Sequence, residues 1–301
     1  MGIPTVYKSS DVGAPTLSGT AGAFIALLKA CLVDGYGAQT PLGWVAEFED
    51  VAGEKAVFRA ATGSRHYYRF QHNAASGGTS GERIGTCEVY ETMSDVDTGT
   101  GLWHSGYINA SYYESAAATE WALIGDETGF YLWTQYLGTL TPANAGTYGC
   151  LSFFGDIIPA DPLDTNIAAM NANKNQSYGS TINYFGGRND IATATCVAYR
   201  DLSGLVKSGL QPVYLFSNNN SVFHPNRPNQ PDDQRVLVKV IFNDDSGYFK
   251  AFFPGMYVSN LNSENLNQPL DLYETSYLLV THRTTTVGTN TFLIIDQDWR
   301  A

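Results

Sequence analysis

The sequence is poor in charge. Lys, Arg, Asp and Glu make up 15% of its 301 residues, against about a quarter in an average soluble domain. It is poorer still in base. There are 17 Lys and Arg against 29 Asp and Glu, for a formal net charge of −12. Arg65 and Arg69 are the nearest approach to a basic cluster. A nucleic-acid binder needs a basic patch to neutralise phosphates. Binding to nucleic acid or to an anionic membrane surface is therefore not expected.

Cysteine is also scarce. Cys31, Cys87, Cys150 and Cys196 are widely spread, the closest two being 46 positions apart (196 − 150). That spacing excludes the close pairs of a zinc or redox motif. Each lies among apolar or aromatic neighbours, as in YGCLSFF and TATCVAY. The expectation is four buried free thiols in a chain that folds in a reducing compartment.

Long hydrophobic runs are missing too. The strongest, FIALLKACLVDGYG (24–37), is shorter than the about 20 residues that span a bilayer, so membrane insertion is not expected. An export signal would need a basic segment, roughly 7–15 apolar residues and small residues before the cut. Here Lys8 is the only base upstream, Asp11 offsets it, and Pro4, Gly13 and Pro15 interrupt the approach. Lys29 stands where a lipid-attachment site at Cys31 would want a small or apolar residue. Phe24, Leu27, Leu28, Cys31 and Leu32 instead fall at i, i+3, i+4, i+7 and i+8, one face of a helix. The spacing predicts a helix from about Thr20 to Val33 packed in the core. Ser18 or Thr20 would be its N-cap and Gly35 its C-terminal cap. Lys29 falls off the apolar stripe, and Ala23, Ala26 and Ala30 allow close approach to a sheet.

Aromatics and glycine are abundant: 19 Tyr, 15 Phe, 5 Trp and 30 Gly. That composition favours strands joined by turns. It also suits a chain that buries surface against neighbours, since contact cores favour aromatics and exclude charge. KAVFRA (55–60) and HYYRFQHN (66–73) read as a hairpin around Thr62-Gly63-Ser64. IGTCEVYETM (84–93) reads as a strand between loops at 74–82 and 94–101. WALIG, a GDETG turn and FYLWTQY (121–136) make the clearest hairpin, and GTYGCLSFFGDI (146–157) a further strand. Residues 159–195 are rich in Pro, Asn, Gly and Ser, with a short helix expected near 164–171. Later strands are QPVYLFS (211–217), RVLVKVIF (235–242), YFKAFFPGMYV (248–258), YLLVTHRT (277–284) and TFLIIDQDW (291–299). Asn243–Gly247 and Val287–Asn290 read as turns. SNNNSVFHPNRPNQPDDQ (217–234) reads as a long exposed loop. The predicted fold is mainly β, with antiparallel sandwich- or barrel-like sheets, one packed N-terminal α-helix and long loops. A helix-plus-β domain over 1–158 and a β domain over 159–301 are expected, unless the two form one composite domain.

No specific catalytic, cofactor or metal constellation stands out. Asp95-Val96-Asp97 opens like a calcium loop, but Thr100 occupies the hinge-glycine position and Gly106 the closing-acid position. Asp126-Glu127 and Asp244-Asp245 sit in turns that themselves favour Asp. A hydrolase acting on polysaccharide would need two such carboxylates facing across a cleft, and that is the least favoured alternative. His66 and His72 lie six apart in one strand pattern, ~20 Å at ~3.3 Å per residue, too far to share a metal. The expectation is a non-enzyme with no cofactor and no metal.

Three stretches together carry a resemblance. The first is Ser9-Ser10-Asp11-x-Gly13-Ala14-Pro15 with Leu17-Ser18-Gly19, the helix, Cys31-Leu32-Val33-x-Gly35-Tyr36-Gly37 and Gly43-Trp44. The second is ALIGDETGFYLW (122–133) followed by FFGDI (153–157). The third is FKAFFPGMYV (249–258) with FLIIDQDWR (292–300). Taken together they resemble a family of virion structural proteins of tailed bacteriophages. After Pro254-Gly255 the chain departs from that pattern: Met256-Tyr257-Val258 stands where a Leu-x-x-Pro-Leu-His-like continuation is expected.

The resemblance implies a structural subunit of a phage particle, folded and assembled in the host cytoplasm and residing in the virion. Its partners would be other virion proteins and copies of itself, in the tail, baseplate or neck. The alternative within the particle is a capsid-surface decoration protein. Candidate assembly contacts are the loop aromatics Tyr178, Tyr184, Phe185 and Phe223, with His224. A host-glycan-binding tail module is a further alternative, with Trp103, His104, Tyr107, Tyr112 and Tyr113 as candidate stacking residues.

Overall fold

A computed structural model describes residues 2–77, 82–111, 117–137, 148–160, 168–172, 196–200, 206–208, 211–213, 237–243, 249–259, 269–272, 275–283 and 288–299. The chain is mainly β, with antiparallel sheets and, among the described residues, one short helix.

Strand β1 (Thr5–Lys8) leads to helix α1 (Ala23–Lys29), which continues as a π-helical turn over Ala30–Asp34. The predicted apolar stripe is the buried one: Phe24, Leu27, Leu28, Cys31 and Leu32 are fully buried. Burial of each large member stabilises the fold by roughly 1.5–3 kcal/mol. The helix starts three residues later than expected and has no side-chain cap. Its N-cap is Gly22 at φ 73. Ser18 Oγ bonds instead to the Thr20 amide at 3.2 Å, and the Gly22 amide donates to Glu54 Oε2 at 2.9 Å. Gly35 closes the turn at φ 78, its amide on the Ala30 carbonyl at 2.8 Å. Lys29 lies off the stripe and pairs with Glu49 at 2.7 Å.

Strands β2 (Val45–Asp50), β3 (Lys55–Arg59), β4 (Tyr67–Gly77), β5 (Glu82–Asp95) and β6 (Thr98–Ser111) form a five-stranded meander in chain order. The expected 55–73 hairpin is its β3–β4 pair. The expected loop at 94–101 is largely strand, since β5 and β6 are separated only by Val96 and Asp97. Strand pairing also narrows the expected 74–82 loop, with Gly77 opposite Glu82.

Strands β7 (Trp121–Gly125) and β8 (Gly129–Leu137) are the predicted WALIG hairpin, and β9 (Tyr148–Asp156) follows. After β10 (Ile158–Pro159) come β11 (Ala168–Ala172), β12 (Cys196–Arg200) and β13 (Val206–Ser208). These complete a seven-stranded sheet in the order β1-β7-β8-β9-β11-β12-β13. Ala168–Ala172 is thus strand where the sequence suggested the end of a short helix. Pairing with β9, Ala169 opposite Gly155, overrides the helical preference of alanine.

The last strands are β14 (Gln211–Val213), β15 (Leu237–Asn243), β16 (Phe249–Ser259), β17 (Pro269–Leu272), β18 (Thr275–Arg283) and β19 (Gly288–Ile294). They run in the order β14-β15-β16-β19-β18-β17, with β10 on β16. Gly288–Asn290, expected in a turn, is paired strand, with Gly288 opposite Arg283. The expected turn at 243–247 lies outside the described residues except for Asn243. Strand ladders run across residue 158, through β9–β11 and β10–β16.

The seven-stranded sheet is covered on both faces. Leu123, Phe130, Leu132 and Phe154 join one core with α1 and with Phe58, Tyr68, Phe70, Cys87 and Val89 of the five-stranded sheet. On the opposite face Tyr131 and Phe153 meet Phe253 at 6.4 and 5.3 Å between ring centroids. This double burial explains why WALIG is apolar at nearly every position and every residue of β7 is buried: a strand with two covered faces loses the alternation of a half-exposed one.

Candidate functional site

The stretches that carry the resemblance meet in the interior and hold one another. Asp11 is the first anchor. Its Oδ2 accepts from the Lys8 amide at 2.9 Å, the Tyr36 hydroxyl at 2.9 Å and Gln39 Nε2 at 3.0 Å. This ties the SDVGAP turn to the GYGAQ turn after the helix. Gly37 sits so close that an added Cβ would lie 2.3 Å from the Val12 carbonyl oxygen. Burial, with the Asp11 carboxylate beside it, pushes the Tyr36 hydroxyl well above the ordinary tyrosine range.

The same segment is bonded to the middle stretch. Trp121 Nε1 donates to the Pro15 carbonyl at 3.1 Å, and the Ser9 amide to the Trp121 carbonyl at 3.0 Å. Trp44 donates from Nε1 to the Asp126 carbonyl at 3.2 Å and meets Phe130 edge-on at 5.2 Å. The middle stretch in turn reaches the last. The Tyr131 hydroxyl donates to the Pro254 carbonyl at 2.8 Å, and its ring meets Trp299 at 5.3 Å. Gly255, at φ +60, lies against that indole, where a Cβ would approach within 2.3 Å.

The acidic residues considered for catalysis are placed differently from one another. Asp126 is buried, and its Oδ1 accepts from the Thr128 amide at 2.8 Å, the Thr128 hydroxyl at 2.7 Å and the Gly129 amide at 2.9 Å. Its carboxylate builds the hairpin turn, as Asx turns do. Asp244 and Asp245 lie outside the described residues. Asp156 accepts from the Ser64 amide at 2.8 Å and from the Ser64 hydroxyl, fixing the β3–β4 turn to the end of β9. In the calcium-like stretch, Asp95 bonds to the Val96 amide and Asp97 pairs with Lys55 and Arg69. Among the described residues no group of three or more His, Cys, Asp and Glu could hold a metal ion.

Of the candidate glycan contacts, Trp103 is only 5% exposed and packs edge-on against His66 at 5.4 Å between ring centroids. Its ring belongs to the main core, so it offers no face for a sugar to stack on. A register shift between the Val89–His104 and Tyr90–Leu102 pairs falls at this residue. Bulges re-aim side chains in this way. His104 pairs with Val89 and Tyr107 with Thr86 along β6, while Tyr112 and Tyr113 lie outside the described residues. So do the candidate assembly contacts Tyr178, Tyr184, Phe185, Phe223 and His224. His66 and His72 are both buried and apart. His72 Nδ1 lies 3.4 Å from Glu54 Oε2, and its ring is 6.1 Å from that of Phe24.

Sequence reasoning missed the anchoring roles of Asp11 and Asp156. A signal for Asp11 was present: an Asp two residues before a Gly, in a stretch of small and turn-forming residues, is a turn signature. Nothing local pointed to its partners 25 and 28 positions away. No protein-family model matches the chain, and no curated protein matches it in sequence.

Proposed function

We propose that this chain is a structural subunit of a tailed-bacteriophage particle, assembled through protein–protein contacts in the tail, baseplate or neck. The observation that supports this reading is the use to which the resembling stretches are put. Asp11, Tyr36, Trp44, Asp126, Tyr131, Gly255 and Trp299 fasten the helix, the hairpins and the C-terminal strands to one another across both faces of the seven-stranded sheet. Residues that a family shares because they hold a scaffold together suit a building block. Low charge and abundant aromatics fit a subunit that buries surface against neighbours.

Mass spectrometry of purified particles tests the proposal. The chain is expected in stoichiometric amount with the other structural proteins and resistant to washing with salt. Particles that lack it, or carry it in traces removed by washing, would overturn the reading.

A further inference from the structure

The β5–β6 hairpin is longer than the sheet it belongs to. Tyr90 pairs with Tyr67, the first residue of β4, so residues 91–101 project beyond β4. In a straight hairpin Asp97, seven residues past Tyr90 (97 − 90), would lie about 23 Å beyond that row. Lys55 lies in the other direction. It pairs with Gln71, which pairs with Thr86, four residues before Tyr90 (90 − 86), or about 13 Å. A lysine side chain reaches only about 6 Å, yet Lys55 Nζ is 2.9 and 2.8 Å from the two Asp97 carboxylate oxygens. The hairpin tip is therefore folded back over the outer face of its own sheet.

Arg69 completes the fastening. Its Nε donates to the Val96 carbonyl at 2.7 Å, Nη2 to Asp97 at 2.5 Å and Nη1 to Glu88 at 2.8 Å. Beneath the tip, Val96 and Met93 cover Val57, with Phe48, Tyr67 and Tyr90 packed around them. Register shifts at Val89/Tyr90 and Met93/Asp95 supply the bend. Gly99 lies on the Tyr90 ring, where a Cβ would come within 2.7 Å.

The covered surface is part of a longer row. Val45 pairs with Arg59, Arg59 with Tyr67, Tyr67 with Tyr90 and Tyr90 with Leu102, so one line of side chains crosses all five strands. Its ends are open, Val45 at 43% and Leu102 at 51% exposure. Arg59 lies over the Tyr67 ring at 4.9 Å.

We propose that residues 91–101 form a strap, latched by the Asp97 pairs to Lys55 and Arg69, that lifts and unpairs along its own β5–β6 rungs while the rest of the sheet stays folded. Opening uncovers the apolar side chains of Phe48, Val57, Tyr67 and Tyr90. Two features carry this. The strap's apolar contacts form a small cluster that shares no residue with the main core. Its anchor, the Asp97 side chain, is 52% exposed, and exposed pairs are weak and screened by salt. Segments with few buried contacts are the ones that open below the global unfolding energy.

Hydrogen exchange read by mass spectrometry tests the strap in the full chain. Exchange across 91–101 is expected to rise about fivefold or more on going from low salt to about 1 M NaCl. Asp97→Asn should produce the same rise at low salt. Amides of β7 and β8 should keep their rates in both cases, and an apolar dye should bind more as the strap opens. Exchange over 91–101 that is insensitive to salt, or that rises only together with β3, β4, β7 and β8, would overturn the proposal. Should the variant fail to fold, the salt response of the native chain decides alone.

Discussion

The Tyr36 hydroxyl and the Asp11 carboxylate are joined at 2.9 Å, linking the turn after β1 to the turn after the helix across 25 positions of chain. The same oxygen takes two further donors, so the carboxylate matters more than any one partner. Tyr36→Phe should lower the unfolding free energy by ~1.5 kcal/mol, a bond to a charged acceptor. Asp11→Ala should cost ~3 kcal/mol, since it strands several donors at once. Urea unfolding measures both. Equal costs for the two variants would show that Asp11 is not the hub.

Close approach makes two glycines irreplaceable. At Gly155, φ 132, a Cβ would lie 2.3 Å from Gly129 Cα and 2.5 Å from the Thr128 carbonyl. At Gly255 it would strike the Trp299 indole. Backbone cannot step aside as a flexible side chain can. Gly155→Ala should therefore leave little folded protein, and Gly255→Ala should destabilise by more than about 2 kcal/mol. Gly43→Ala is the control. It shares the positive φ, at 83, but has nothing within 4 Å, so it should cost only about 1 kcal/mol. Thermal melting of the three variants gives the order.

Burial pushes the Cys31 and Cys87 thiols well above the ordinary range, and both are free and buried. A thiol that neither ionises nor meets solvent reacts slowly. Peptide mapping after a short pulse of alkylating reagent at pH ~8 should find both unmodified in native protein and fully modified in denaturant. Rapid native labelling of Cys31 would contradict the packed helix.

Hydrogen bonds from Lys55 and then Arg69 hold the Asp97 carboxyl below its ordinary value of 3.8. The folded state thus binds that proton less readily than the unfolded one. The latch contributes fully above pH 3.8 and loses its contribution as pH falls through the lower folded value. Exchange protection over 91–101 should drop below pH ~4 in the native chain, after correction for intrinsic rates, and Asp97→Asn should abolish that dependence. A pH response that persists in the variant would place the titrating group elsewhere.

Much of the fold could be read from local pattern. The stripe Phe24-Leu27-Leu28-Cys31-Leu32 announced a packed helix, and WALIG-DET-GFYLW announced a hairpin, because helical and strand periods are properties of neighbouring residues. The capping expectation failed at Ser18 and Thr20. Glu54, 32 positions away, takes the amide that a local cap would have taken. The candidate site was less legible. Trp103 beside His104 and Tyr107 looks like a sugar platform in one dimension, and a register shift in β6 turns its ring into the core.

By itself the sequence determined which face of the helix is apolar, where the turn between Gly125 and Gly129 falls, and that acid outweighs base, since these depend on residue type and short spacing. Only the tertiary structure decided that one sheet is covered on both faces, that Asp11 gathers donors from the far end of the helix, and that the β5–β6 tip folds back onto its own sheet. Each of those rests on contacts between residues distant in sequence. Such contacts form only when the packed elements bring the residues within hydrogen-bonding or van der Waals reach.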